Sequence, residues 1–297
     1  MDRFFLAAVL CAVMSHIAIA DPFLAPQSVV TLEFGDAPSK LGSSGFGEDD
    51  WKLLFFSVGA DDTIAVPDIN KGRIALYSAK GVFIKAIPVT AAISSRMNFF
   101  AQSLNDNYVS FNDGALYSLT ASGEVLWRAP FPMGVFPKAL YAGGEAVYFA
   151  VEEIDGVKSF SIPYIPPFTA TESVVVSDGG NLPRIRVSGF VFGYTAADTA
   201  RLRTASGGTF SLSSVPAKAR FLEAEKSGRA VWLEKEEDAY AVYNTTSDGK
   251  LIASGRIARA PSASWYWVVA KFDGDGASIY LCEDGRGSMR IEMYRLK

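Results

Sequence analysis

Residues 60–87 read ADDTIAVPDINKGRIALYSAKGVFIKAI, and the fold of the whole chain turns on how this stretch is divided. Three runs rich in β-branched and aromatic residues, TIAVP, RIALYS and VFIKAI, are separated by the turns DINKG and AKG. Short runs of this composition, bounded by Gly, Asp, Asn and Ser, read as strands. The preceding KLLFFSV (52–58) adds a strand through the turn GADD. Residues 60–87 are therefore the outer three strands of a four-stranded unit whose inner strand is 52–58.

The unit recurs. LYSAKGVFIKAI (76–87) and LYSLTASGEVLWRAP (116–130) share a strand, a turn with glycine and a second strand. Gly81, Gly123, Gly207 and Gly249 fall on one spacing of about 42 residues, and position 165 of the same series falls in the Pro-rich PYIPPF. A hairpin precedes each unit: LLFFSVGADDTIAV, NFFAQSLNDNYVSF, ALYAGGEAVYFAV, RIRVSGFVFGY, RFLEAEKSGRAVWLE and YWVVAKFDGDGASIYLC. Repeats of this length built from four strands have the period of a β-propeller blade. The last unit, Trp265 to Lys297, has three strands, whereas SVVTLEFG (28–35) is a strand without a unit. Alternation puts Val30, Leu32 and Phe34 of that strand on one face and Thr31 and Glu33 on the other. The expected fold is all-β: a six-bladed β-propeller of four-stranded blades, closed by the N-terminal strand completing the last blade. Closure of this kind covers edges that would otherwise be exposed.

The 297 residues are 49% apolar, ample for such a core, and the net charge of −4 with no basic block argues against a nucleic-acid partner. The N-terminus has the layout of a secretory signal peptide: Met1-Asp2-Arg3, the apolar FFLAAVLCAVM, then Ala18-Ile19-Ala20 as an A-x-A cleavage site. The apolar run is too short to span a bilayer. We therefore expect residues 1–20 to be removed after Ala20 and residues 21–297 to form a single propeller domain. Cleavage would remove His16 and Cys11, leaving no histidine and Cys282 as the one cysteine. Histidine triads, histidine metal sites and intrachain disulfides are excluded for that mature chain. Asn244-Thr245-Thr246 is a glycosylation sequon in form.

The first unit, from LEFGDAPSKLG through VGADDTIAVPDINKGRIALYSAKGVFIKAI, resembles an NHL repeat. Asp68, Asn70, Arg73, Ile74 and Gly81 match that pattern, whereas Pro67 departs from it by removing a backbone donor at the strand end. The second unit, DGALYSLTASGEVLWRAP, is similar to the repeat of quinoprotein-type propellers, with Trp127 as its packing tryptophan. Proteins of that second type include a propeller lipoprotein of outer-membrane assembly. Six-bladed relatives of the NHL type include lactonases and lyases with a divalent metal in the channel. Both resemblances imply the fold; neither fixes a function.

Several residues are candidates for ligand or partner contact. The resemblance implies that the turn with Asp68, Asn70 and Arg73 faces the channel mouth; the competing reading is a turn scaffold, in which Asp68 and Asn70 bond to turn amides and Arg73 pairs with a carboxylate. Asn112 and Asp113 occupy the turn of the second unit. EKEEDAY (234–240) supplies Glu236 and Asp238, which with Glu152 form either an acidic rim that attracts cations and basic partners or a solvated loop. Tyr164 and Phe168 flank Pro166-Pro167 in PYIPPF, either as an apolar partner contact or packed back onto their blade. Trp265 and Trp267 share one strand face and read as inter-blade packing. Asp273 and Asp275 have calcium-loop spacing, but Ala277 and Asp284 stand where further ligands belong, so the segment reads as a hairpin turn.

The expected function is a secreted or periplasmic, non-enzymatic propeller that scaffolds an envelope complex. It would bind a protein or glycan as a monomer, without a cofactor, a nucleic-acid partner or a transmembrane segment. The alternative is a channel-centred hydrolase or lyase, lactonase-like, whose metal site would be all oxygen. Such a donor set suits Ca2+ and fits zinc poorly.

Overall fold

The structure, a computed structural model, describes residues 23–42, 55–59, 61–90, 98–102, 107–112, 115–130, 137–142, 146–153, 156–163, 171–172, 185–187, 190–194, 199–204, 209–216, 219–224, 227, 229–246, 248–259, 266–285 and 288–297. Strands dominate, and the described residues contain no α-helix. An N-terminal strand, β1 (Ser28–Glu33), precedes the repeated units. Sheet one holds β2 (Ser57–Val58), β3 (Ile64–Asp68), β4 (Arg73–Tyr77) and β5 (Phe83–Pro88), in that order from one edge to the other. Sheet two holds β6 (Asn98–Gln102), β7 (Tyr108–Asn112), β8 (Ala115–Leu119) and β9 (Val125–Pro130). Sheet three holds β10 (Pro137–Ala142), β11 (Ala146–Glu153), β12 (Gly156–Pro163) and β13 (Thr171–Glu172). Sheet four holds β14 (Ile185–Val187), β15 (Phe190–Tyr194), β16 (Thr199–Thr204) and β17 (Thr209–Pro216). Sheet five holds β18 (Arg220–Ala224), β19 (Ala230–Lys235), β20 (Ala239–Thr245) and β21 (Leu251–Ala258). Sheet six holds β22 (Tyr266–Asp273), β23 (Gly276–Gly285) and β24 (Ser288–Leu296), and its fourth strand is β1.

That last pairing joins the two ends of the chain. β1 runs antiparallel to β24 from Ser28↔Met293 to Glu33↔Ser288. Val30 and Leu32 are buried and Thr31 and Glu33 exposed, the alternation expected of a strand with one face on a core. The strand is shorter than the 28–35 expected, because the ladder ends where β24 begins; Phe34 instead bridges Leu41. Of the expected inner strand 52–58, Ser57–Val58 pairs with β3, and residues 52–54 lie outside the described residues.

The core lies between successive sheets. β3 and β4 are buried at every position, so side chains pointing both ways need a partner layer. Ile64, Val66, Ala75 and Tyr77 pack with Val30, Leu32, Cys282, Met289 and Ile291 of sheet six. Their alternates Ala65, Ile74 and Leu76 pack with Tyr108 and Leu119 of sheet two. Val231, Leu233, Tyr240 and Val242 of sheet five meet Val268, Ala270, Ile279 and Leu281 of sheet six. Inner strands adjoin one another in the order β18, β22, β2, β6, β10, β14. Antiparallel sheets stacked face to face, with their first strands side by side, are the arrangement of a β-propeller.

The glycine spacing now has a physical cause. Gly81, Gly123 and Gly249 sit in the turns between third and fourth strands with φ of 77°, 87° and 83°, a conformation that L side chains rarely adopt. Two of these turns also abut the outer strand of the preceding sheet. A Cβ on Gly81 would lie 2.9 Å from Val30 Cγ1 of β1, and one on Gly123 would run into the Pro88 carbonyl and sit 2.7 Å from Ile87 Cγ2 of β5. β1 is thus to sheet one what β5 is to sheet two. Gly207 lies outside the described residues. We expect Gly123→Ala to lower stability by more than the ~1–2 kcal/mol of left-handed backbone strain. Gly274→Ala, at φ +59° with no atom within 4 Å, should cost that strain alone. Thermal unfolding of the two variants checks the difference.

Candidate functional site

Strand parity fixes which loops share a face. In each antiparallel sheet the turn between second and third strands leaves from the same end as the connection to the next sheet. The Asp68 turn, the 236–238 turn and the connection that follows β1 therefore lie on one side of the propeller.

On that side, sheet one grips the chain that leaves β1. Ile69–Lys71 forms a short 3-10 turn ended by Gly72, between β3 and β4. Asp68 and Arg73, both buried, face each other at 2.8 Å from Arg73 Nε to Asp68 Oδ2. The free carboxylate oxygen, Asp68 Oδ1, accepts the Gly42 amide at 3.0 Å. Arg73 donates through Nη1 to the Pro38 carbonyl and through Nη2 to that of Lys40, both at 2.6 Å. The Asn70 amide donates to the Gly42 carbonyl at 3.3 Å, and Tyr77 Oη to the Ser39 carbonyl at 3.2 Å. The expected turn scaffold is present in part. Arg73 pairs with the nearby carboxylate, but the amide that Asp68 accepts lies 26 residues upstream, outside the turn. Local turn chemistry gave no sign of that partner. Lys71 was also missed; it donates to three carbonyls of the same segment.

Burial pushes the Tyr77 hydroxyl up to about 12, with nearby Asp68 adding to the shift and Arg73 opposing it. An unfolded tyrosine titrates near 10. The folded chain holds this proton more tightly, so the stabilisation is complete below about pH 10 and is lost as the pH rises towards 12. We expect Tyr77→Phe to remove part of the alkaline loss of stability, measured as the midpoint of urea unfolding across that range. Burial also raises the Tyr280 hydroxyl, whose nearby Asp62 carboxylate acts in the same direction.

A second polar corner lies at the same end of sheet five. Glu236 and Asp238 both meet Arg256 of β21; Arg256 Nε donates to Glu236 Oε2 at 2.9 Å, and Nη2 lies 3.3 Å from Asp238 Oδ1. The guanidinium also covers the Phe23 ring at 5.0 Å, while the Leu24 amide donates to the Arg256 carbonyl at 2.7 Å. This corner, read from the sequence as either an acidic rim or a solvated loop, carries its own cation. The sequence reading missed Arg256 because it arrives from the neighbouring strand, 18 and 20 residues downstream.

Gly274-Asp275 is the two-residue loop of the hairpin between β22 and β23, where Arg295 pairs with Asp273 and Arg229 donates to the carbonyls of Gly274 and Asp275 at 2.8 and 3.0 Å. This is the expected hairpin turn. Cys282 is fully buried in β23, and so is Asn244 in β20, which puts the sequon asparagine out of reach in the folded chain. Trp127 is buried in β9. Asn112 closes β7 and Glu152 lies in β11 opposite Val157, but their side chains lie outside the described set, as do Asp113, Tyr164, Phe168 and Trp265 altogether. Among the described residues, no three of His, Cys, Asp and Glu group as metal ligands.

Comparison with known sequences finds no matching protein family and no matching curated protein. Comparison with solved structures is informative for the fold. A member of the DUF4221 family from Bacteroides vulgatus aligns with TM-score 0.56 at 10% identity, over 93% of this chain and 99% of that one. A streptogramin B lyase aligns with TM-score 0.53 at 14% identity, over 91% and 88%. A gluconolactonase of Xanthomonas campestris aligns with TM-score 0.50 at 13% identity, over 93% and 99%. At such identities likeness speaks for architecture alone, and the architecture shared by these proteins and this chain is the β-propeller.

Proposed function

We propose that the chain is a secreted or periplasmic, non-enzymatic propeller of six blades whose turn-bearing face binds a protein or glycan of the cell envelope. The observation that carries this reading is the state of the carboxylates on that face. Asp68 and Glu236 each pair with a guanidinium of their own chain, Arg73 and Arg256, so those two charges fasten the fold, and exposed Asp238 shares Arg256 with Glu236. A ring of six is supported by the order in which inner strands adjoin and by the glycine turns seated on the preceding outer strand, sheet one on sheet six included. No helix among the described residues is long and apolar enough to cross a membrane.

The test is chemical crosslinking of the native protein in envelope extracts, read by mass spectrometry. Lys235, exposed beside the 236–238 turn, should carry the partner crosslinks; Lys80 and Lys250, exposed in turns at the opposite end of their sheets, should not. Crosslinks spread equally over the three lysines, or none at all, would count against the binding face. A second reading is the lactonase-like enzyme on an all-oxygen Ca2+ site, favoured by the fold shared with a lyase and a gluconolactonase. It predicts a rise in melting temperature when Ca2+ is added to chelator-treated protein, and the first reading predicts none.

A further inference from the structure

The segment that leaves β1 doubles back on itself. The Gly35 amide donates to the Leu41 carbonyl at 2.8 Å, and the Leu41 amide donates to the Glu33 carbonyl at 3.0 Å. The fold turns the carbonyls of Gly35, Ala37 and Lys40 towards one point, and at that point sits Lys71 Nζ, at 2.8, 2.7 and 2.9 Å from the three oxygens. A lysine ammonium has three N–H donors and no acceptor. Here all three donors are matched by main-chain oxygens, with no carboxylate among them. Carbonyl oxygens arranged around a point are also how channels replace the hydration shell of a monovalent cation.

We propose that residues 35–40 form a monovalent-cation site built of main-chain carbonyls, and that the Lys71 ammonium is its tethered cation. The site's preference is for a primary ammonium, whose three donors fit three acceptors; a quaternary ammonium of the same charge offers none. The N-terminal strand and sheet one are thus joined by an internal ligand whose removal leaves a site for an external one.

Lys71→Ala deletes the ammonium with its stem and keeps the backbone. Its melting temperature is expected to fall by several degrees. Propylammonium chloride should restore about half of the loss or more, whereas tetramethylammonium chloride at the same ionic strength should restore none. Equal recovery with the two salts would reduce the effect to screening and overturn the proposal, as would an unchanged melting temperature in Lys71→Ala. Should that variant not fold, Lys71→Met supplies the stem without the charge. Hydrogen exchange at the Gly35 amide should then quicken at least about tenfold, while amides of β20 keep their wild-type rates; unchanged exchange at Gly35 overturns the proposal.

Discussion

A chain shortened to begin at Phe34 is expected to lose about 10–20 °C in melting temperature and to aggregate on warming. It lacks Val30 and Leu32, buried side chains worth roughly 1.5–3 kcal/mol each, together with the ladder from Ser28 to Glu33. Domains have only about 5–15 kcal/mol of stability in all. The truncated chain also exposes the edge of β24 as a template for pairing with another molecule. The melting temperature and light scattering of the truncated protein check this. A synthetic peptide of residues 23–33 should raise the melting temperature again, since it carries the strand that pairs with β24. An unchanged melting temperature after truncation would show that β1 is dispensable to sheet six.

The second large effect is at Asp68. Asp68→Ala leaves the Arg73 guanidinium buried without its carboxylate, and breaking one side of a buried pair costs about 3–5 kcal/mol. Replacing both, as Asp68→Ala with Arg73→Leu, should cost less than the sum of the single changes, by about 0.5–3 kcal/mol, because no charge is stranded. The double variant still loses the Gly42, Pro38 and Lys40 contacts, so it will not reach wild-type stability. Glu236→Ala is the contrast: its pair with Arg256 is about a quarter to a third exposed, and such pairs contribute no more than about 1 kcal/mol. Denaturant unfolding of the four variants measures the ordering. If a variant at Asp68 kept full stability but lost partner crosslinks, the turn would be part of the binding face.

The sequence carried the fold because its repeat has a local cause. A turn that needs positive φ at one residue selects glycine, so Gly81, Gly123 and Gly249 keep their spacing while surrounding residues drift, and at Gly81 and Gly123 a Cβ would also strike the preceding sheet. The pairing of β1 with β24 was legible for a different reason: a unit short of a strand and a strand short of a unit can be matched by counting. The clasp was not legible. Asp68, Asn70 and Arg73 announced themselves as polar turn residues, but their partners lie 26 to 35 residues upstream, mostly as main-chain carbonyls that no side-chain pattern reveals. The cation of the 236–238 corner was hidden in the same way, because Arg256 reaches Glu236 and Asp238 only once β21 has paired with β20.

The union of β1 with β24 also sets a timetable. Residues 28–33 wait for residues 288–293, and contacts of such long sequence separation form slowly. Until β24 is in place, the backbone edge of β1 has no ladder partner, and intermediates with uncovered strands are prone to misassembly. The pairing of β1 with β24 is expected among the late steps of folding, since β24 is the last of the described strands to be made.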